Sequence, residues 1–130
     1  MNKVIGVRRN SCMVPNVILD ELLPDLTNPE LRVLLVIDRQ TLGWQVNRTT
    51  KERKGRDWIA HSQFKKKTGL GETSVKKGIS GLLKKDLIII TNEQGKVLRT
   101  AEERREAGRR HERLYYELDL PDEGTNDFVY

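Results

Sequence analysis

Thr73, Lys77, Ser80 and Lys84 stand at i, i+4, i+7 and i+11, with Ser74 and Lys76 between them. At roughly 100° per residue, this spacing puts the four on one side of an α-helix and the other two on its flanks. Hydroxyl and ammonium groups in one exposed row hydrogen-bond to base edges and neutralise phosphates. Base reading is expected of Thr73, Ser74, Lys76, Lys77 and Ser80. On these residues alone, the alternative is a solvated lysine-rich face.

The elements that must hold this row surround it. Val75, Ile79, Leu82 and Leu83 repeat at i, i+4, i+7 and i+8, an apolar stripe that predicts a helix over 72–85 with one buried face. Before it, residues 60–68 read as a shorter helix that buries Phe64 against Leu70, and Thr68-Gly69-Leu70-Gly71 as the tight turn between the two. Together they make a helix-turn-helix, whose second helix enters a DNA major groove while the first lies across the backbone. Phosphate contacts are therefore expected from Ser62, Gln63, Lys66, Lys67 and Lys84. Gly71 falls at the N-cap of the second helix, and Gly78 beside the stripe would let another helix approach closely. Gly81, which weakens a helix interior, has no evident purpose in the sequence.

Charge follows the same layout. The net +5 of the 130 residues conceals a segment, 48–85, with twelve Lys and Arg against three acids, whereas 15–47 carries two Arg against five acids. A local excess of that size suits a polyanion, because cation–phosphate contacts release condensed counterions. With 36% hydrophobic residues, the chain is expected to bury one modest core as one domain. No apolar run reaches the ~18 residues of a membrane span, and the first residues lack a secretion signal's apolar core, so a location in the cytoplasm is expected. Cys12 is read as an ordinary thiol, since His61 and His111 show no ligand spacing with it. Gly69, Gly71 and Ser74 lack the spacing of a phosphate-binding loop. No enzyme activity, cofactor or metal is expected.

In chain order, residues 1–13 hold three cations and no acid and read as a flexible basic arm, lying along DNA or doing nothing. A short helix with Val17, Ile18, Leu22 and Leu23 as its apolar positions precedes Pro24. Thr27 is the expected N-cap of a longer helix, with Pro29 and Glu30 in its first turn, which passes through Leu31, Leu34, Leu35 and Ile37 to about Thr41. Asp20, Glu21, Asp25, Glu30 and Asp38 are expected on an acidic outer surface, solvated or facing a partner protein. Residues 45–57 read as an exposed loop or loose two-stranded turn, from which Arg48, Lys51, Arg53, Lys54 and Arg56 would reach phosphates. Trp44 and Trp58 on either side are expected to close one end of the core, stacking on bases being the alternative.

A strand is predicted over 86–91, a turn at Asn92-Glu93-Gln94-Gly95, brief pairing back over 96–99, and a returning strand over 113–120. Strand, loop and strand after such a helix make a wing, with Lys96, Arg99, Arg109 and Arg110 as its candidate DNA contacts and Arg104 and Arg105 also at its tip. Glu102, Glu103, Glu106 and Glu112 dilute that charge, leaving a short helix or disorder at the tip as alternatives. Residues 121–130 read as an acidic disordered tail or linker.

These stretches carry a resemblance. VPN at residues 14–16, RQTLGW at 39–44, SQF at 62–64, TGL at 68–70 and RLYYEL at 113–118 together resemble the N-terminal domain of the lambdoid phage replication protein O family, over about residues 13–120. The resemblance implies a mainly α winged helix-turn-helix with a small β-hairpin over residues 14–120. It also implies a replication initiator that binds repeated duplex DNA sites at an origin, in a phage or mobile element and hence in a bacterial host cytoplasm. Gly71 and Ala60 stand where the family has serine caps, the wing carries a charged insertion, and the part that in the family engages the helicase has no counterpart in these residues. A transcriptional regulator on the same fold and a protein-interaction module of a replication complex remain as alternatives. Replication proteins and a second copy in a two-fold homodimer are open as partners, with no heptad or apolar seam to decide the latter.

Overall fold

A computed structural model describes residues 3, 5, 6, 8–47, 49, 50 and 52–121. All of the tail expected over 121–130 except Pro121, part of the arm, and the phosphate candidates Arg48 and Lys51 lie outside the described residues. The chain opens on one π-helical turn, Ile18–Leu22, and one 3-10 turn, Leu23–Asp25. Then follow α1 (Asn28–Gln40), β1 (Gln45–Asn47), β2 (Glu52–Arg53), β3 (Asp57–Trp58), α2 (His61–Thr68), α3 (Glu72–Lys84), β4 (Ile88–Thr91), α4 (Ala101–Arg109) and β5 (Tyr115–Leu118). β1 and β2 form a separate antiparallel hairpin, and β3, β5 and β4 form an antiparallel sheet in that order. The architecture is the expected one, mainly α with a winged helix-turn-helix.

Local rules account for the helix starts. The Thr27 hydroxyl accepts from the Glu30 amide, and the Glu30 carboxylate accepts from the Thr27 amide at 2.9 Å, a reciprocal cap at the head of α1. α2 begins on Ala60, whose amide donates to the Gln63 side chain, and ends on Gly69 at φ 75, a left-handed conformation that glycine adopts at no steric cost. Thr100 caps α4 with Glu103 in the same reciprocal way. At the wing, the Asn92 side-chain Oδ1 accepts from the amides of Gln94 and Lys96, and Gly95 at φ 85 completes the turn.

The core lies between α1, α2, α3 and the inner face of the three-stranded sheet. Val33, Leu34, Ile37, Phe64, Val75, Leu82 and Ile90 are almost wholly buried, and Phe64 meets Tyr116 edge-to-face with centroids 5.0 Å apart. α1 crosses α3 at Gly78, where an added Cβ would come within 2.7 Å of the Pro29 carbonyl oxygen. One helical turn later, a Cβ on Gly81 would collide with the Glu30 carboxylate, which supplies the purpose that residue lacked in the sequence. Glu30 is buried here and pairs with Lys85. Burial alone would raise its carboxyl, but the hydrogen bonds from Lys85 and Thr27 hold it below the ordinary value.

Several expectations need correction. The acidic surface is only partly a surface: Asp20, Glu21 and Asp25 are exposed, but Glu30 and Asp38 are buried at 6% and 1% exposure. Leu35 and Leu23 face outward, and Val33 and Val36 take the core positions of α1 instead. Trp44 and Trp58 do not close the core; they are 48% and 37% exposed. Cations cover their faces, Arg39 and Lys54 over Trp44 and Arg113 over Trp58. At the wing, Asp57–Trp58 adds a third strand on β5 that the sequence did not suggest, while the charged insertion folds into α4, the short-helix alternative for the tip.

Candidate nucleic-acid interface

The row on α3 is exposed as its spacing requires. Thr73, Lys76, Lys77, Ser80 and Lys84 are open to solvent, whereas Ser74 is half-buried on the flank. The stripe behind them is closed, with Val75 and Leu82 at 0% exposure and Ile79 at 6%. Lys76 carries a solvent-exposed pair with Glu72 at 3.8 Å, too screened to hold it away from another anion. Glu72 is the one acid of α3, in the first turn where a negative charge complements the helix dipole.

The residues expected to hold phosphates separate. Ser62 and Lys66 are exposed on α2, and Lys84 on the last turn of α3. Gln63 is half-buried, with its carbonyl oxygen engaged by the Ala60 amide. Lys67 lines a shallow groove between α1 and α2 with Arg32 and Arg39, so that it belongs to a cationic strip distinct from the α3 row. The loop cations are tied down: Lys54 pairs with Asp57 at 3.2 Å, and Arg56 donates to the Thr91 hydroxyl at 2.6 Å while stacking on Tyr115.

In the wing, helix α4 sorts the cations by face. Arg109 pairs with Glu106, Arg110 with Glu106 and Glu112, and Lys96 lies 3.9 Å from Glu103. Arg99 sits on the other side of the wing, in a cleft it shares with Asp86 and Asp119. Arg104 and Arg105 turn instead toward α3. They line a cleft of about 310 Å³ with Lys76, Ser80, Ile79 and Tyr116, closed at the α2 end by His61. Burial, then the neighbouring Lys76 and Lys65, pushes the His61 imidazole below its ordinary value, and its Nδ1 has no hydrogen-bond partner among the described residues. Sequence reasoning missed this cleft because helical periodicity within α4 cannot say which of its faces α3 meets.

Among the described residues there is no cluster of metal-ligating side chains and no helix long and apolar enough to cross a membrane. No curated protein and no solved structure matches the chain. The family model described as bacteriophage replication protein O matches residues 12–103, from the segment before α1 through α3 and β4 into α4. That is well over half of the 130 residues, and the chain belongs to the bacteriophage replication protein O family, which ties it to phage DNA replication.

Proposed function

We propose that this chain binds a specific duplex DNA site through α3 and so recognises an origin during replication initiation of a phage or related element. One observation carries the reading: α3 exposes Thr73, Lys76, Lys77, Ser80 and Lys84 in one row, on the helix-turn-helix where the chain's cations concentrate. Thr73, Lys77 and Ser80 face the base edges in this reading, with Ser74 and Lys76 at their margin. Ser62, Lys66 and Lys84 anchor phosphates on either side. Nothing in the role asks for catalysis or a cofactor, and the partner is duplex DNA.

The test is a fluorescence-anisotropy titration against an origin repeat of the parent element and a scrambled duplex, at several salt concentrations. Preferential, salt-weakened binding to the repeat is expected. Lys77→Ala should cost on the order of 1 to 3 kcal/mol on the repeat and far less on the scrambled duplex, narrowing the preference by about fivefold or more. Equal losses on both would make Lys77 a phosphate anchor. Binding to neither duplex would refute DNA recognition and favour a protein partner. A footprint at a promoter with none at an origin would favour transcriptional control.

Glu72 provides a companion measurement. Glu72→Gln removes the one negative charge of α3 and releases Lys76 from its exposed pair. Affinity for both duplexes is expected to rise a few-fold at low salt, with the gain fading as salt screens it. Unchanged affinity at low salt would place the N-terminal turn of α3 away from the DNA.

A further inference from the structure

Helix α4 stands beside the row on α3, and the two share the cleft described above. A helix with its side chains is about 10–12 Å across and the major groove about 12 Å wide, so α4 cannot enter the groove together with α3. With α3 in the groove, the sugar–phosphate strand that borders it on the α4 flank would meet the cleft.

The chemistry of the cleft matches that strand. Its floor is apolar, with Ile79, Leu114 and the Tyr116 ring, and Lys76 and Arg105 stand on its two opposing helices. Arg105 differs from its neighbours. It is exposed and makes no ion pair or hydrogen bond among the described residues, whereas Arg109 and Arg110 are paired with acids. Arg104 is half-buried and donates to the Leu98 carbonyl, so it serves as wall.

We propose that the cleft between α3 and α4 seats one deoxyribose–phosphate unit of the bound duplex, with the sugar on the apolar floor and the phosphate between Lys76 and Arg105. The charged insertion in the wing is then a phosphate clamp, and Arg105 is its positioning residue. This rests on the DNA-binding reading of α3.

The experiment uses the whole chain and the duplex that wild type prefers. Arg105→Ala is expected to weaken binding to specific and scrambled duplexes alike and to lower the slope of log K against log salt by about 1, the loss of one phosphate contact. Arg109→Ala should leave the slope unchanged. Single methylphosphonate linkages are then placed along each strand. One of them should weaken wild type several-fold and leave Arg105→Ala unaffected, because the contact it removes is already gone. Ala101→Trp, which fills the cleft without altering charge, should reproduce the loss with the thermal unfolding midpoint retained. An unchanged slope in Arg105→Ala, or no linkage whose effect that variant abolishes, overturns the clamp while the α3 reading stands. If wild type binds no duplex, the α3 reading fails and the clamp with it.

Discussion

Gly78→Ala is expected to destabilise the chain by about 2 to 3 kcal/mol, although alanine is the better helix former. The new Cβ would lie 2.7 Å from the Pro29 carbonyl oxygen and 2.9 Å from both its carbonyl carbon and the Val33 Cγ2. Two of those atoms are backbone in the first turn of α1, which the Thr27–Glu30 cap holds in place. They cannot rotate aside, so α1 and α3 must separate. The packing of Val33 against α3 loosens with them, and this loss exceeds the gain of about 1 kcal/mol in helix propensity. Gly108→Ala is the control, because nothing lies within 4 Å of its added Cβ, and it should stabilise by up to ~1 kcal/mol. Urea midpoints at unchanged slope measure both. A Gly78→Ala midpoint at or above that of wild type would rule out the close crossing.

Asp38→Asn should act in the other direction. Asp38 is 1% exposed, near the C-terminal end of α1, and its Oδ1 has no partner among the described residues. Burial raises its carboxyl from 3.8 to about 6. A folded value above the unfolded one means that the stability this group contributes is full below the unfolded value and is lost as pH rises through about 6. At pH ~7 the buried ionised form is a deficit on the order of 2 to 3 kcal/mol, which an uncharged asparagine of the same shape removes. The variant is therefore expected to be more stable than wild type near pH 7, with the advantage shrinking toward zero by about pH 4. His61 slopes oppositely: its depressed value takes stability away as pH falls below about 6.5, but it is common to both proteins and cancels in the difference. Denaturant midpoints of the pair across this range decide it. An advantage independent of pH would mean that burial does not raise the Asp38 carboxyl above its unfolded value.

Much of the fold was legible because its determinants are local. The cap at Thr27 and the left-handed turn at Gly69 involve residues within a few positions of one another. The α3 stripe and the exposed row opposite it follow from a period of 3.6. Burial of charge was not legible, because its cause is distant in sequence. Glu30 is capped three residues away but made buriable by Lys85 and by the missing side chain of Gly81, both more than fifty positions on. The tryptophans were misjudged for a similar reason. Their size argued for the core, whereas the arginines and lysine that cover them come from other turns of the chain.

By itself, then, the sequence determined the helix-turn-helix, the row on α3, the wing strands and the family resemblance, since periodicity, capping and turn chemistry act over one or two helical turns. Only the tertiary structure decided which charges are free. It buried Glu30 and Asp38, occupied Gln63 and Arg56, paired Arg109 and Arg110, and turned Arg105 toward Lys76. Those outcomes depend on which face of α4 meets α3 and how closely α1 crosses it, and such distances are set by packing among elements far apart along the chain.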